Sequence, residues 1–206
     1  MSLDQSFLDR IAAAAEKAGL ADVRYAWAPS PIGRLLVAST NEGVCRIAFA
    51  EEREDDVLAE LARRLSPRIV RSAELERGAA AAIGAYVAGE LDHLDMPADL
   101  SLVTTPFGRS VLDKLMEVKR GKVTTYGALA ARIGNPRAVR ATGTALGRNP
   151  VPILVPCHRV LPSGGSVGNY GGGPDRKRYL LELEGVPLPS TRRRTTEALD
   201  SSKDVG

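Results

Sequence analysis

The sequence predicts an α/β chain of the α+β kind. Its N-terminal half should hold a small antiparallel sheet with helices, and its C-terminal half should be mostly helical and winged-helix-like, built on a helix-turn-helix. Three observations carry this. Residues 23–49 alternate as strands do, with turn residues between the runs. Residues 107–146 instead show apolar positions at helical spacing. Charge divides along the same line: residues 1–103 carry 11 Lys and Arg against 17 Asp and Glu, whereas residues 104–186 carry 13 against 5.

In chain order, Ser6 to Leu20 reads as a helix on Phe7, Ile11, Ala14, Ala15 and Ala18, with Gly19 as its stop. Three strands follow as an antiparallel meander, Val23–Trp27, Arg34–Ser39 and Gly43–Phe49, and Cys45 belongs to the core of the third. Glu51 to Leu65 is an amphipathic helix that turns Val57, Leu58, Leu61 and Leu65 inward, and Ala73 to Gly89 is an Ala-rich second one. His93 falls in an acidic surface loop.

In the second half, Phe107 to Val118 presents Val111, Leu112, Leu115 and Val118 as one stripe. Thr124 or Thr125 caps a helix over Tyr126–Arg132, which Gly134 ends. Asn135 as N-cap and Pro136 at the first helical position then predict a second helix to Leu146. Two short helices across a tight turn form a helix-turn-helix. The second carries Arg137 and Arg140, with Arg148 just beyond, among small residues that include Ala138 and Ala141. Small side chains allow close approach, so this helix suits the backbone or minor groove of a DNA duplex better than base reading. A glycine-rich loop spans residues 163–173, and Asp175 to Glu184 is the last helix. The expected organisation is a helical extension over 1–22, an α/β unit over 23–103, a second unit over 104–186 and a disordered tail over 187–206.

No apolar run approaches the roughly 18 residues of a membrane span, and the N-terminus lacks the pattern of a signal peptide. Cys45 and Cys157 lie far apart, and with His93 and His158 they show no metal-ligand spacing. A reducing cytoplasm, no metal, no cofactor and no more than a monomer are expected.

The chemistry concentrates in Asn149-Pro150-Val151-Pro152-Ile153-Leu154-Val155-Pro156-Cys157-His158-Arg159-Val160. Prolines forbid a helix interior or a central strand here, while the apolar residues between them demand burial. A stiff buried run ending in Cys-His holds one sulfur in place. A neighbouring imidazole or cation would lower the thiol pKa and favour the nucleophilic thiolate.

Pro156-Cys157-His158-Arg159-Val160, with Gly134-Asn135-Pro136 and Asn149-Pro150-Val151-Pro152 ahead of it, resembles the O6-alkylguanine-DNA alkyltransferases, also called methylated-DNA–protein-cysteine methyltransferases. The likeness runs from about Thr105 to Gly185 and more loosely back to Val23. It implies a single-turnover enzyme that flips O6-alkylguanine, mainly O6-methylguanine, out of duplex DNA and takes the alkyl group onto Cys157. By the same resemblance His158 takes the thiol proton through a water, Glu184 orients His158, and Arg140 fills the gap left by the base. Tyr126, next to Thr125, contacts the target nucleotide, and Asn149 is the hinge between recognition helix and active segment. Val167, Gly168, Tyr170, Gly171, Val160 and Pro152 match the pocket wall, and Lys177 its rim. Some relatives have serine where this chain has Gly171. Two other classes compete: a cysteine hydrolase with a Cys157–His158 dyad, and a helix-turn-helix DNA-binding regulator without transfer. Adjacent residues on an extended segment point apart, which disfavours the dyad, and nothing supplies an activation domain.

Overall fold

The computed structural model describes residues 4–164 and 166–188. Most of the expected tail, from 189 onward, lies outside the described residues. Helix α1 (Gln5–Lys17) ends three residues earlier than expected, and Gly19 leaves it with φ +68°. Its last turn is anchored, with Glu16 at 3.0 Å from Arg24 and 2.7 Å from the Ser72 hydroxyl. Phe7 and Ile11 remain exposed.

Strands β1 (Val23–Ala28), β2 (Leu35–Ser39) and β3 (Val44–Phe49) form the expected meander. The sheet has a fourth strand, β4 (Ile69–Arg71), which runs parallel to β1 with Val23 beside Ile69, so the sheet is mixed rather than antiparallel. Three residues are too few for alternation to register in the sequence. Helix α2 (Glu54–Arg64) covers one face with Val57 and Leu61, against Val23, Leu36, Ala38 and a fully buried Cys45. Burial pushes the Cys45 thiol up to about 12, so this cysteine is core.

The Ala-rich helix is broken. A short α3 (Ala73–Leu75) passes through a π-helical turn over Glu76–Ala80, kinked at Gly78, into α4 (Ala81–Ala88). Helix α4 lays Ile83, Tyr86 and Val87 on the other face of the sheet. There they share one continuous core with Leu112, Leu115, Leu129, Val155, Val160 and Leu180 of the second half. The two halves are thus welded through a common apolar interior.

In the second half, Thr105 caps α5 (Pro106–Met116) and Thr125 caps α6 (Tyr126–Arg132), each hydroxyl accepting a backbone N–H at 3.1 Å. Helix α7 begins at Val139, not Pro136, and runs to Gly147. Asn135 and Pro136 are instead the first two residues of a β-turn closed by Ala138 N–H to Asn135 O at 3.0 Å. Asn then Pro favours the first two positions of a β-turn as readily as a helix start. Ala138, with ψ 27°, serves as N-cap. Strands β5 (Thr124–Thr125) and β6 (Val160–Leu161) pair in parallel and tie the start of α6 to the end of the proline-rich segment. Helix α8 (Pro174–Leu183) closes the described chain. Among the described residues, no helix is long and apolar enough to cross a membrane.

Candidate functional site

The proline-rich segment leaves α7 through Arg148 and Asn149 and folds into a tight buried turn. Val155 N–H bonds Val151 O at 2.8 Å, and β3 reaches across with Ile47 N–H to Pro150 O at 2.9 Å. At the turn's apex Ile153, 2% exposed, takes φ +76°. A β-branched residue in the left-handed region is an outlier that costs about 1–3 kcal/mol, so the surrounding packing holds it there. Asn149 is the internal strut: Nδ2 donates to Val155 O at 2.8 Å and to Cys157 Sγ at 3.1 Å, and Oδ1 accepts Val151 N–H at 3.0 Å.

Cys157 opens one turn of 3-10 helix over Cys157–Arg159 and is half-buried. The segment is therefore not extended at Cys157–Arg159, so opposed pointing along a strand is not what separates sulfur from imidazole. His158 is fully buried, and its Nε2 lies 2.8 Å from Glu184 Oε1. Burial lowers the His158 pKa against the pull of Glu184, so the ring is neutral. A neutral imidazole has one donor and one acceptor, and a carboxylate only accepts. Nε2 therefore carries the hydrogen, and Nδ1, buried without a protein partner among the described residues, keeps its lone pair.

Glu184 is the hub of the site. Its Oε1 accepts from Tyr86 Oη at 2.6 Å, from His158 and from Arg159 Nη2 at 2.9 Å, and its Oε2 accepts Arg159 Nε at 2.8 Å. Burial alone would raise its pKa, but His158, Arg159 and Tyr86 together hold it well below the usual carboxylate range. Arg159 is thus committed to Glu184 and to Val118 O.

This corrects the expectation that His158 and Arg159 acidify the sulfur. The Cys157 thiol is raised by burial, opposed by the Asn149 hydrogen bond and then by Lys177. Lys177 is not at a rim but fully buried, with Nζ donating to Val160 O at 2.7 Å and to Asn169 O at 3.3 Å. Burial brings its pKa down to about 8, against the pull of Cys157.

Around the sulfur, Tyr126 at the head of α6 is half-buried. Its hydroxyl pKa is raised by burial and then by Cys157. Tyr170 is raised well above its ordinary value by burial first and Cys157 second, and its hydroxyl is buried without a protein partner among the described residues. Its ring stands edge-on to His158 at 6.4 Å and to Phe49 at 5.8 Å. Val160, Val167 and Pro152 are buried, Val160 in the same apolar core against which Cys157 and Tyr170 pack. Gly168 has φ +69°, and a Cβ there would meet Pro162 at 2.7 Å, so only glycine fits. Gly171 is exposed and faces open space. Arg137, Arg140, Ala141 and Arg148 are exposed along one stretch from the turn to the end of α7, with Ala138 half-buried and Thr125 occupied as a cap.

Sequence reasoning missed the role of Arg159 as the partner that pins Glu184, and it missed Tyr86 and Phe49, which arrive from the first half. The periodicity of α4 marks Tyr86 as core and carries no sign of its hydroxyl's partner. Among the described residues, no group of three or more His, Cys, Asp or Glu could hold a metal.

Two family models match the chain in succession. Residues 23–100 match the 6-O-methylguanine DNA methyltransferase ribonuclease-like domain, and residues 106–186 match the DNA binding domain of the same family. Methylated-DNA–protein-cysteine methyltransferase of Haemophilus influenzae is 37% identical over 166 residues, covering 79% of this chain and 87% of that one. The Methanosarcina acetivorans protein of the same name is 39% identical over 161 residues, covering 78% and 97%. The crystal structure of Mycobacterium tuberculosis O6-methylguanine methyltransferase superposes with a TM-score of 0.67 at 36% identity, covering 79% of this chain and 92% of that one. The same organism's protein in complex with DNA gives 0.65, also at 36% identity, with 79% and 91% covered. On both halves and along most of its length, the chain belongs to the 6-O-methylguanine DNA methyltransferase family.

Proposed function

We propose that this protein repairs DNA by direct reversal, moving the alkyl group of O6-alkylguanine, mainly O6-methylguanine, irreversibly onto Cys157 Sγ. The observation that carries the reading is the Cys157–Asn149 and His158–Glu184 arrangement: a half-buried cysteine held by Asn149 and followed by a buried neutral imidazole with one free lone pair.

In the resting protein the thiol is protonated, because burial raises its pKa. His158 Nδ1 receives that proton through a water, and Glu184 stabilises the resulting imidazolium. The sulfur attacks the alkyl carbon as the bond from that carbon to guanine O6 breaks with its electron pair kept by the base. The base takes up one proton from water, the imidazolium returns the thiol proton to water, and a thioether on the protein and restored guanine in the DNA remain. A thioether is not reversed by any group of the site, so each molecule acts once.

The reacting carbon is unreachable inside a duplex, so the nucleotide is flipped, at a cost of a few kcal/mol. The exposed arginines on and beside α7, Arg137 in the turn before it, Arg140 within it and Arg148 just past its end, supply phosphate contacts along the minor groove, with Arg140 filling the vacated stack. Thr125, Ala138 and Ala141 allow close approach of α6 and α7 to the backbone. Tyr126 contacts the target nucleotide, and Val160, Val167, Gly168, Tyr170, Gly171 and Pro152 form the wall around the base. At Gly171 no side-chain hydroxyl can reach O6, so a backbone N–H takes that role. Lys177 braces the wall from within by holding Val160 O and Asn169 O together. The protein works as a monomer in a reducing cytoplasm, where its thiol stays free.

A hydrolase would need the imidazole on the sulfur, whereas Cys157 Sγ bonds Asn149 and His158 Nε2 bonds Glu184. Exposure to duplex DNA carrying O6-methylguanine, followed by mass measurement of the tryptic peptide Asn149–Arg159, tests the proposal. A gain of one methyl group is expected; an unmodified peptide with the lesion bound would mean recognition without transfer.

A further inference from the structure

Among the described residues, the first half of the chain hydrogen-bonds to the proton-handling network through a single hydroxyl. Tyr86, on α4 and 2% exposed, donates to Glu184 Oε1 at 2.6 Å, across 98 residues of sequence. That same oxygen holds His158 Nε2 at 2.8 Å. Arg159 Nη2 divides itself between Glu184 Oε1 at 2.9 Å and Tyr86 Oη at 3.3 Å. The hydroxyl therefore does two things: it donates to the carboxylate, and it accepts from the guanidinium that competes with His158 for Oε1.

We propose that Tyr86 is a positioning residue for alkyl transfer, setting through Glu184 how strongly His158 is oriented and polarised. This rests on the reading of Cys157 as the alkyl acceptor. The charged and titratable groups around the network are Glu184, His158 and Arg159, Lys177 bearing on His158, Tyr170 edge-on to His158 at 6.4 Å, Arg120 lying 5.9 Å over the Tyr86 ring and paired with Asp92 at 3.1 Å, and His93 lining the same cavity as Tyr86 and Arg159. Among the described residues, Tyr86 supplies the only hydrogen bond to the Glu184 carboxylate from the first half. Without the hydroxyl, Arg159 Nη2 turns wholly to Oε1, His158 loses part of its hold on that oxygen, and the proton acceptor for Cys157 weakens.

The structure offers a matched control. Tyr179 Oη donates to Val87 O at 2.9 Å, a hydrogen bond between the same two halves that touches no member of the network. Two readouts separate positioning from stability: the pH profile of Cys157 carbamidomethylation by iodoacetamide, and single-turnover methyl transfer from an O6-methylguanine duplex. Cys45 does not interfere, being fully buried with a thiol near 12.

For Tyr86→Phe the midpoint of the carbamidomethylation profile should rise by about one pH unit, the scale of one hydrogen bond to an ionised group, with methyl transfer about tenfold slower at neutral pH. Tyr179→Phe should lower Tm and leave the profile at its wild-type position. A wild-type profile in Tyr86→Phe, or an equal displacement in Tyr179→Phe, overturns the proposal. Failure of the wild-type protein to take up methyl would instead overturn the alkyltransferase reading, while the iodoacetamide arm still decides the role of Tyr86.

Discussion

Helix α7 and the segment Asn149–Val160 are neighbours in sequence and opposites in physics. The helix and its C-cap present Arg140, Ala141 and Arg148 to solvent with no side-chain partner among the described residues, whereas the segment buries Val151, Pro152, Ile153, Val155 and His158 around a strained turn. The difference teaches how recognition and chemistry are divided. Exposed cations act through a screened, additive field, and each can be lost at little cost to folding. Buried groups act through completed hydrogen bonds, and removing one partner strands the others.

The sharpest way to break this contrast is at Glu184. Replacing it with alanine leaves Arg159 and His158 buried without their acceptor, and an unpaired buried charge costs about 3–5 kcal/mol. The unfolding free energy from urea titration should fall by that amount, a large part of the stability of an ordinary domain. A loss below 1 kcal/mol would show that the network is not what holds the segment.

Acid makes the same point more gently. The folded-state pKa of Glu184 lies below its ordinary value of 4.5, so the stability it brings is complete above that value and is lost as pH falls beneath it. Urea midpoints measured from pH 6 downward should decline less in Glu184→Gln than in the wild type. Parallel curves would contradict the assignment.

Asn149→Ala comes next. It removes the donors to Val155 O and Cys157 Sγ and the acceptor for Val151 N–H, at about 1–3 kcal/mol. Because Asn149 opposes the burial that raises the Cys157 thiol, carbamidomethylation should need still higher pH in the variant. The smallest effect on folding belongs to the arginines on and beside α7. Arg137→Ala, Arg140→Ala and Arg148→Ala should each stay within about 0.5 kcal/mol of wild-type stability. Each arginine that meets a phosphate should nevertheless lower the salt slope of duplex binding by about 0.9. An unchanged slope in the triple variant would remove α7 from the DNA interface.

Much of this division is written locally in the chain. Threonine caps at Thr105 and Thr125, the apolar stripe of α5 and the proline brackets around Val151–Val155 are short-range signals, and each forms as its neighbours dictate. What escaped notice is long-range or ambiguous. Strand β4 exists because β1 has a free edge, which three residues of sequence cannot announce. Asn135-Pro136 fits a turn and a helix start equally well, and only the packing of α7 decides. Tyr86 and Arg159 look like a core aromatic and a surface cation until the fold brings both to Glu184. The thiol differs from expectation for the same reason: adjacency in sequence puts Arg159 beside Cys157, while the 3-10 turn sends its guanidinium to the carboxylate.

The account stands or falls on one sulfur accepting one alkyl group. Wild-type protein and Cys157→Ser, each titrated with excess O6-methylguanine duplex, give the stoichiometry of methyl removed per chain. The expected result is a plateau at about one for the wild type and none for Cys157→Ser, with duplex binding retained in both. Lesion cleared by Cys157→Ser, or removal by the wild type that continues past one per chain, would contradict it.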